Sequence, residues 1–387
     1  MQTQRNPELE FRSAYGIAPH GIVKSPGRIC LIGEHTDYNR GFVLPLAMDL
    51  SIFVSFAART DTRVRVRSLE YPDYIDTFDI AAEITHCDVH WANYIRGVFS
   101  TARDYGFQIQ QGLDILISSS LPQDAGLASS GALSTCVAGA IAKALKLPLD
   151  KRSLALIAEK AENEFLGRMC GIMDPFTAVL AKEDHLLLID CEDFSVQQIP
   201  FPKDLVIVTF NSCARAQLEG HEFNDLRAAC ERAANIMGVK SLRNANLETL
   251  NTFKNSMDEI AYRRATHIIT ENERTQQVAK ALTRLDTRLV YRLMFESFES
   301  GKENFENTIP EIDALVSFAR EALNGKVGVR MTGGGFGGSV IALCEKKDAK
   351  KLIGDVSQRY YEHFNINMPI HICRPSIGMR VKWLQAN

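Results

Sequence analysis

The stretch SSSLPQDAGLASSGALSTCVAGAIAKAL, residues 118–145, runs from an apolar strand through a loop into a helix of small residues. The loop carries Gly126, and Ser129, Ser130 and Gly131 follow at the start of the helix. Small residues let several backbone N–H groups converge, and the positive end of a helix dipole attracts an anion. The loop lacks the lysine of a Walker A motif. The stretch predicts a phosphate-binding unit, with a serine N-cap and close helix packing as the alternative.

A second glycine cluster, MTGGGFGGSV (331–340), lies late in the chain between two β-type runs. Gly333, Gly335 and Gly338 satisfy the G-x-G-x-x-G spacing of dinucleotide-binding loops. That fingerprint has to join a strand to a helix, whereas the following SVIALCE (339–345) is a β-type run. The cluster therefore predicts a glycine-rich hairpin turn whose backbone can approach a ligand closely.

The densest group of charged and polar side chains lies in SPGRICLIGEHTDYNRG, residues 25–41. Its members are Arg28, Glu34, His35, Asp37 and Tyr38. Donors and acceptors this close together suit several hydroxyls of a sugar, and an analogue lacking one hydroxyl would leave a group of the site unpaired. A polar loop between two strands is the alternative interpretation, since Asp37, Asn39 and Gly41 favour turns.

Two further carboxylates stand apart from that group. Glu162 lies near the end of a predicted helix, in EKAENEF. Asp174 follows two apolar residues and precedes Pro175. A carboxylate among apolar neighbours is the setting in which a general base is tuned. The alternatives are an exposed helical carboxylate for Glu162 and a turn carboxylate for Asp174.

Elsewhere the chain alternates between strand and helix patterns. Strands are predicted over 41–60, 63–68, 113–120, 185–190, 205–210, 327–331, 339–345 and 368–374. Helices are predicted over 91–106, 130–146, 151–166, 222–237, 256–285, 287–300, 309–324 and 347–363. This is an α+β pattern in two halves rather than a repeating βαβ array, and we divide it into residues 1–203 and 204–387.

The composition fits two globular domains, with 387 residues of which 45% are hydrophobic and 24% are charged. A net charge of −3 argues against nucleic acid or an anionic membrane as a partner. The nine cysteines form no C-x-x-C pair, so neither a zinc site nor a disulfide framework is predicted. The sequence shows no apolar leader and no membrane-spanning run, and we expect a cytoplasmic protein.

Four segments, in this order, resemble the galactokinase family of the GHMP sugar kinases. SPGRICLIGEHTDYNRGFVLP is similar to the family's signature segment, and LPQDAGLASSGAL is similar to its ATP-binding motif. CGIMDPF is similar to the catalytic-aspartate motif, and RMTGGGFGGSVIAL to the third glycine motif. The similarity runs from about Phe11 to Pro375. It implies a two-domain α+β GHMP kinase fold, with mixed sheets and helices and an active site in the cleft between the domains.

The resemblance also implies a reaction, in which ATP with Mg²⁺ phosphorylates the C1 hydroxyl of galactose. Asp174 would be the base, and Arg28 would orient it and stabilise charge on the phosphoryl group. The implied sugar-binding positions are Glu34, His35, Thr36, Asp37, Gly171 and Phe223. The implied nucleotide-binding positions are Ser68, Asp124, Ala125, Gly126, Leu127, Ala128, Ser129 and Ser130. Ser130 and Glu162 would hold Mg²⁺, and we expect a monomer whose partners are a small-molecule sugar and ATP.

The chain departs from the family pattern at several positions. Cys30 stands where the family has Asn, Asp124 where it has Gly, Ala128 where it has Ser, and Pro175 where it has Gln. Asp124 adds negative charge beside a triphosphate. Phe223 stands where the family has a Tyr whose hydroxyl contacts the sugar, which removes one hydrogen bond worth about 0.5–1.5 kcal/mol.

Three other functions remain alternatives. A sugar-1-kinase for galacturonate is favoured by Phe223 and Cys30, and it is opposed by Glu34, whose carboxylate would repel a uronate. A non-catalytic galactose sensor is opposed by the presence of both metal-binding matches. A nicotinamide enzyme is opposed by the strand that follows the second glycine cluster.

Overall fold

The computed structural model describes residues 6–122, 125–148, 150–168, 170–215 and 222–384. The strands are β1 (Gly21–Cys30), β2 (Phe42–Val43), β3 (Pro45–Ala58), β4 (Arg63–Ser68), β5 (Tyr71–Asp79), β6 (Leu113–Ser119), β7 (His185–Asp190), β8 (Val196–Pro200), β9 (Leu205–Arg215), β10 (Gly328–Thr332), β11 (Gly337–Glu345), β12 (Ile370–Cys373) and β13 (Arg380–Trp383). The helices are α1 (Pro7–Tyr15), α2 (His90–Asp104), α3 (Ser129–Ala144), α4 (Lys151–Lys160), α5 (Met173–Leu180), α6 (Glu222–Ile236), α7 (Leu247–Thr252), α8 (Glu259–Thr283), α9 (Thr287–Ser300), α10 (Pro310–Ala322) and α11 (Ala349–Phe364).

A six-stranded sheet in the order β13–β1–β3–β6–β4–β5 organises the first half of the chain. Its neighbours are antiparallel except for β4 and β6. Helix α3 packs against β1 and β3, and its Ala, Gly and Ser side chains let it approach the sheet closely. The opposite face is covered by α1, where Phe11 is buried against Ala57 and Leu116. Both faces of the central strands are therefore buried.

Strand β1 is irregular where it reaches the site. Its register against β3 shifts between Pro26 and Arg28, as expected beside a proline that cannot donate to the ladder. A Cβ on Gly27 would lie only 2.4 Å from the side chain of Leu121, so the backbone approaches the loop before α3 closely. The N–H of Arg28 donates to the carbonyl of Leu127 at 3.0 Å. The alternative interpretation of 25–41 as a polar loop is therefore wrong for Arg28, which lies on a strand.

A four-stranded antiparallel sheet, in the order β10–β11–β9–β12, organises the second half. Helices α10 and α11 pack on it around the buried Tyr360. Strands β10 and β11 form a hairpin in which Thr332 pairs with Ser339, so the second glycine cluster is a hairpin turn, as predicted. Gly333 and Gly335 have φ of 93° and 97°, a region that favours glycine. The turn leads into a strand and not into a helix, which removes the dinucleotide-fingerprint interpretation.

The predicted α+β class with mixed sheets is confirmed. The division after residue 203 falls between β8 and β9, but the final strand β13 returns to pair with β1 in the first sheet. A third, three-stranded sheet, β2–β7–β8, adjoins α8. Across the described ranges, no helix combines the length and apolar character that crossing a bilayer requires.

Candidate active site

Two adjoining cavities lie where the two halves of the chain meet. The first, of about 750 Å³, is lined by the segment after β1, by residues 162–174, by the start of α6 and by the glycine turn. The second, of about 420 Å³, is lined by β4, the start of α2 and the loop before α3. Arg28, Ser130, Arg168 and Asp174 line both cavities, as do Gly126 and Gly334. The two cavities therefore meet at these residues.

Arg28 and Asp174 form a bidentate ion pair at this junction. The Arg28 Nε and Nη2 atoms donate to Asp174 Oδ1 and Oδ2 at 2.6 and 3.1 Å. The Arg28 Nη1 atom donates to the carbonyl of Gly126 at 2.8 Å. Burial opposes the charge of Arg28, but Asp174 and Glu34 outweigh it and raise its pKa. The guanidinium is therefore a fixed cation, and it orients the carboxylate.

Asp174 lies in the first turn of α5, not in the turn that sequence reasoning gave as the alternative. A carboxylate is stabilised at a helix N-terminus, and Pro175 is tolerated because first-turn N–H groups lack helical partners. A Cβ on Gly131 would lie 2.9 Å from the Cβ of Asp174. The missing side chain lets α3 and α5 approach, so Asp174 lies beside the N-terminus of α3.

The loop before α3 is shaped to hold an anion. Ala128 has φ 58° and ψ 46°, and its left-handed conformation turns the chain into the helix at Ser129 and Ser130. A Cβ on Gly333 would lie 2.8 Å from the carbonyl oxygen of Gly126, so the two glycine-rich loops pack against each other. Residues 125–130 line the second cavity, beside the positive end of the α3 dipole. The loop therefore fits a nucleotide phosphate, and the predicted Asp124 lies outside the described residues.

Glu162 lies in a π-helical turn, Ala161–Phe165, that continues α4. Burial and the charge of Asp174 raise the pKa of Glu162 to about 7, while a hydrogen bond with the Ser130 hydroxyl lowers it. The buried carboxylate of Glu162, the partly buried one of Asp174 and a hydroxyl at one edge of the phosphate loop fit Mg²⁺, whose charge would relieve this repulsion. Within the part of the chain that the structure describes, no cluster of three or more His, Cys, Asp or Glu could hold a metal. Ser130 and Glu162 would thus supply part of a shell that phosphates and water complete.

Glu34 has a charged partner that sequence reasoning did not include. Its Oε2 atom accepts a hydrogen bond from Arg330 of β10, and its Oε1 atom accepts one from the N–H of Gly333 at 3.2 Å. Arg330 also lies 3.7 Å from Glu271 of α8. All three side chains are buried. The expected repulsion between Glu34 and a uronate is therefore offset by the guanidinium of Arg330.

His35 has protein partners at both ring nitrogens. Its Nδ1 atom lies 2.9 Å from the Tyr38 hydroxyl, and its Nε2 atom lies 3.3 Å from the Asn307 Nδ2 atom. Burial and the charge of Arg330 lower the pKa of His35 to about 3, so the ring is neutral. The Phe223 ring of α6 lies 5.4 Å from the imidazole and lines the first cavity.

Two of the three remaining predicted sugar-binding residues, Asp37 and Gly171, line the first cavity. A Cβ on Gly171 would lie 2.1 Å from Asp37 Oδ2, so only glycine fits there. Burial and the charge of Asp174 raise the pKa of Asp37 to about 6. The Thr36 hydroxyl instead lies 2.7 and 2.6 Å from the carbonyl oxygens of Gly33 and Phe42, where it braces the loop.

Ser68 lies in the wall of the second cavity. Its hydroxyl donates to Glu70 Oε2 at 3.1 Å. The same wall carries Tyr71 and Trp91, whose rings stack with centroids 5.8 Å apart and an interplanar angle of 13°. Ser68 therefore borders an aromatic surface next to the phosphate loop.

Sequence reasoning missed several residues of the site. Arg330 had a signal, since it is a charged residue inside the apolar strand VGVRM (327–331). Asn307 had none, because its position depends on a π-helical turn at 301–305. Its carbonyl accepts a hydrogen bond from the N–H of Phe336 at 2.6 Å, which ties it to the glycine turn. Arg168, which lines both cavities, was also missed.

Three family models match the chain. The galactokinase galactose-binding signature matches residues 9–58. The GHMP kinases N terminal domain matches residues 93–182, and the GHMP kinases C terminal model matches residues 278–362. The first two contain Arg28, the 34–37 segment, the phosphate loop and Asp174, and the third contains Arg330 and the glycine turn.

Solved structures with the same fold cover nearly the whole chain. The galactokinase of Lactococcus lactis, solved with galactose, is 28% identical with a TM-score of 0.92, and the match covers 96% of this chain and 98% of that one. The mevalonate kinase of Methanococcus jannaschii is 18% identical with a TM-score of 0.62, covering 92% and 98%. The homoserine kinase of Cytophaga hutchinsonii is 16% identical with a TM-score of 0.61, covering 94% and 97%. The last two show likeness of fold alone.

Proposed function

The chain belongs to the GHMP kinase family as a galactokinase-like sugar kinase, and we propose that it phosphorylates the C1 hydroxyl of galactose with ATP. The observation that carries the proposal is the Arg28–Asp174 pair at the junction of the two cavities. A sugar hydroxyl in the first cavity and a terminal phosphoryl group in the second would meet at these side chains.

In this proposal Asp174 accepts the proton of the C1 hydroxyl as the hydroxyl oxygen attacks the γ-phosphorus of ATP. The bond between the γ-phosphorus and the oxygen that bridges it to the β-phosphate breaks, and ADP leaves with the electron pair of that bond. Arg28 keeps the carboxylate in line and stabilises the negative charge on the phosphoryl oxygens. Phosphoryl transfer depends mainly on positioning and charge, and a well-placed base contributes roughly 10²–10⁴ in rate.

The α3 N-terminus and the loop at 125–130 would bind the phosphates, with Arg168 as a second nearby cation. Ser130 and Glu162 would hold Mg²⁺, which supplies charge neutralisation to the phosphates when bound. Glu34, Asp37 and the backbone of Gly171 would bind sugar hydroxyls from the first cavity. We further infer that the protein is cytoplasmic and that it is a monomer. Sedimentation velocity would check the second inference against the mass of one chain.

A galacturonate 1-kinase is the second candidate, and one observation favours it. Arg330 is paired with Glu34, so that end of the first cavity carries no uncompensated negative charge. A carboxylate at C6 would therefore meet less repulsion than Glu34 alone would cause.

The deciding experiment is a coupled kinase assay with galactose, galacturonate, glucose and galactosamine at saturating ATP and Mg²⁺. Phosphorus NMR of the product would identify the phosphorylated position. The proposal expects galactose to give the highest kcat/KM and an anomeric phosphate. A higher kcat/KM with galacturonate would replace galactose as the substrate, and sugar binding without ADP release would indicate a sensor.

A further inference from the structure

Behind the sugar-binding wall of the first cavity lies a space of about 10 Å³, which we call the small cavity. Its lining includes Glu34, His35, Asn307 and Arg330, together with Gly301. The volume is close to that needed for one water molecule. This space therefore lies directly behind two of the predicted sugar-binding side chains.

Two buried polar atoms border the small cavity without a hydrogen-bond partner among the described protein groups. They are Arg330 Nε, a donor, and Asn307 Oδ1, an acceptor. The two residues are only 5% and 3% exposed. One water that accepts from Arg330 Nε–H and donates to Asn307 Oδ1 would satisfy both atoms.

The structure gives the Asn307 amide one direction. Its Nδ2 atom lies 3.3 Å from His35 Nε2, and its Oδ1 atom is buried on the side of Gly301, which lines the small cavity. With the amide turned over, the water would have to accept from both Asn307 and Arg330, and His35 Nε2 would have to donate to the amide oxygen. The observed direction lets the water accept from one group and donate to the other.

The amide direction determines the tautomer of His35. If Asn307 donates to Nε2, the neutral ring carries its proton on Nδ1 and donates it to the Tyr38 oxygen at 2.9 Å. The Tyr38 hydroxyl proton is then left for a ligand, and Tyr38 lines the first cavity. Burial lowers the pKa of His35, whereas a hydrogen bond with the backbone of Gly334 acts in the opposite direction. A ring that carries its proton on Nε2 is therefore the competing tautomer.

We propose that Tyr38 is a sugar-binding residue that donates its hydroxyl proton to the ligand, and that Asn307 and Arg330 are positioning residues. Through one buried water they hold His35 in the Nδ1–H tautomer. The neighbouring Phe223, whose ring centroid lies 5.5 Å from that of Tyr38, has no polar side-chain atom to offer. The nature of the ligand rests on the proposed function, whereas the tautomer does not.

The first test measures the tautomer by nitrogen NMR of the full chain labelled at histidine, with the His35 signals assigned from a His35→Gln variant. The wild-type protein should show a protonated Nδ1 and an unprotonated Nε2. Asn307→Asp should move the proton to Nε2, because a carboxylate can only accept. Asn304→Asp, the same change of charge three residues earlier, should leave the tautomer unchanged. A wild-type ring protonated at Nε2 would overturn the proposal without any variant having to fold.

The second test measures galactose binding by calorimetry. Tyr38→Phe should weaken binding roughly two- to tenfold, the range expected for one neutral hydrogen bond. Asn307→Asp should weaken it by a similar factor, since Tyr38 would then donate to His35. The double variant should bind no more weakly than Tyr38→Phe alone, while the KM for ATP stays unchanged. Unchanged binding in Tyr38→Phe would sink the proposal. If wild-type protein binds a different sugar, the same series is run on that sugar, and only the proposed function fails.

Discussion

The carboxylate of Asp174 accepts hydrogen bonds from Arg28 at 2.6 and 3.1 Å, although the two residues are 146 positions apart in the sequence. Strand β1 delivers the guanidinium and the first turn of α5 delivers the carboxylate. Small residues at Gly27 and Gly131 let these elements approach. The pair therefore depends on the packing of β1, α3 and α5.

Asp174→Asn should lower kcat by roughly 10²–10⁴, because the amide cannot accept the proton of the sugar hydroxyl. The fold should survive, since the amide oxygen can still accept a hydrogen bond from Arg28. Steady-state ADP release and thermal unfolding measure the two effects. Asp184→Asn is the matched control, as it removes a carboxylate from the exposed Arg374 pair far from both cavities. Near-normal turnover in Asp174→Asn would remove Asp174 from the proposed chemistry.

Glu162 should make the metal-free protein less stable as the pH rises. Its folded-state pKa is about 7, against an ordinary value of 4.5, so the folded state holds an extra proton between these values. The stabilisation is fully present below pH 4.5 and is lost as the pH rises through 7. Glu162→Gln should therefore be more stable than the wild type at pH 8, by up to about 3 kcal/mol, with little difference at pH 4.5.

Urea unfolding at both pH values, in the presence of a chelator, measures this effect. Glu164→Gln changes an exposed carboxylate in the same π-helical turn and should shift stability little at either pH. Added Mg²⁺ should stabilise the wild type at pH 8 and should not stabilise Glu162→Gln. Equal stability of Glu162→Gln and wild type at pH 8 without metal would contradict the raised pKa.

Gly171→Ala should disturb the sugar-binding wall directly. Its Cβ would lie 2.1 Å from Asp37 Oδ2, so the carboxylate or the backbone has to move. Overpacking of this kind costs about 1–3 kcal/mol, and the KM for the sugar should rise more than the KM for ATP. Gly354→Ala, in α11 with open space around it, is the control and should be neutral or slightly stabilising. Unchanged sugar kinetics in Gly171→Ala would show that sugar binding does not require the observed position of Asp37.

The sequence pattern predicted helices and strands well where apolar residues recur with the period of the element and so mark its buried face. The predicted bounds of β4, β7 and α9 agree with the structure, and the small residues of 118–145 do form a strand, a loop and a helix. The end of strand β1 fell within the segment 25–41, for which a polar loop was the alternative interpretation, because Asp37, Asn39 and Gly41 favour turns. The bulge and close packing that keep it a strand depend on distant residues.

The candidate site was predictable only in part, for the same physical reason. The roles of Arg28 and Asp174 were implied by the resemblance, whereas Arg330 was missed, although it is a charge inside an apolar strand. Its partner Glu34 lies 296 positions away, and no local pattern reports a pairing over that distance. Asn307 depends on a single π-helical turn, which is invisible to a period of 3.6 residues.

Glu34→Gln should change the sugar preference by leaving Arg330 without its nearest counter-charge. In the wild type the charges of Glu34 and Arg330 cancel beside the first cavity, and Glu271 is already paired with Arg274 at 2.8 Å. The variant therefore adds one net positive charge near the sugar. At an effective dielectric constant near 20, a unit charge several ångströms away is worth about 1–3 kcal/mol.

The ratio of kcat/KM for galacturonate to that for galactose should rise at least tenfold in Glu34→Gln. Glu70→Gln, which changes a carboxylate lining the second cavity instead, controls for a general change in charge and should leave the ratio unchanged. A ratio unchanged in Glu34→Gln would mean that the carboxylate end of the sugar does not approach this pair. In that case galacturonate would lose the support that the Glu34–Arg330 pair gives it, because the charge balance between these two residues would not reach the substrate.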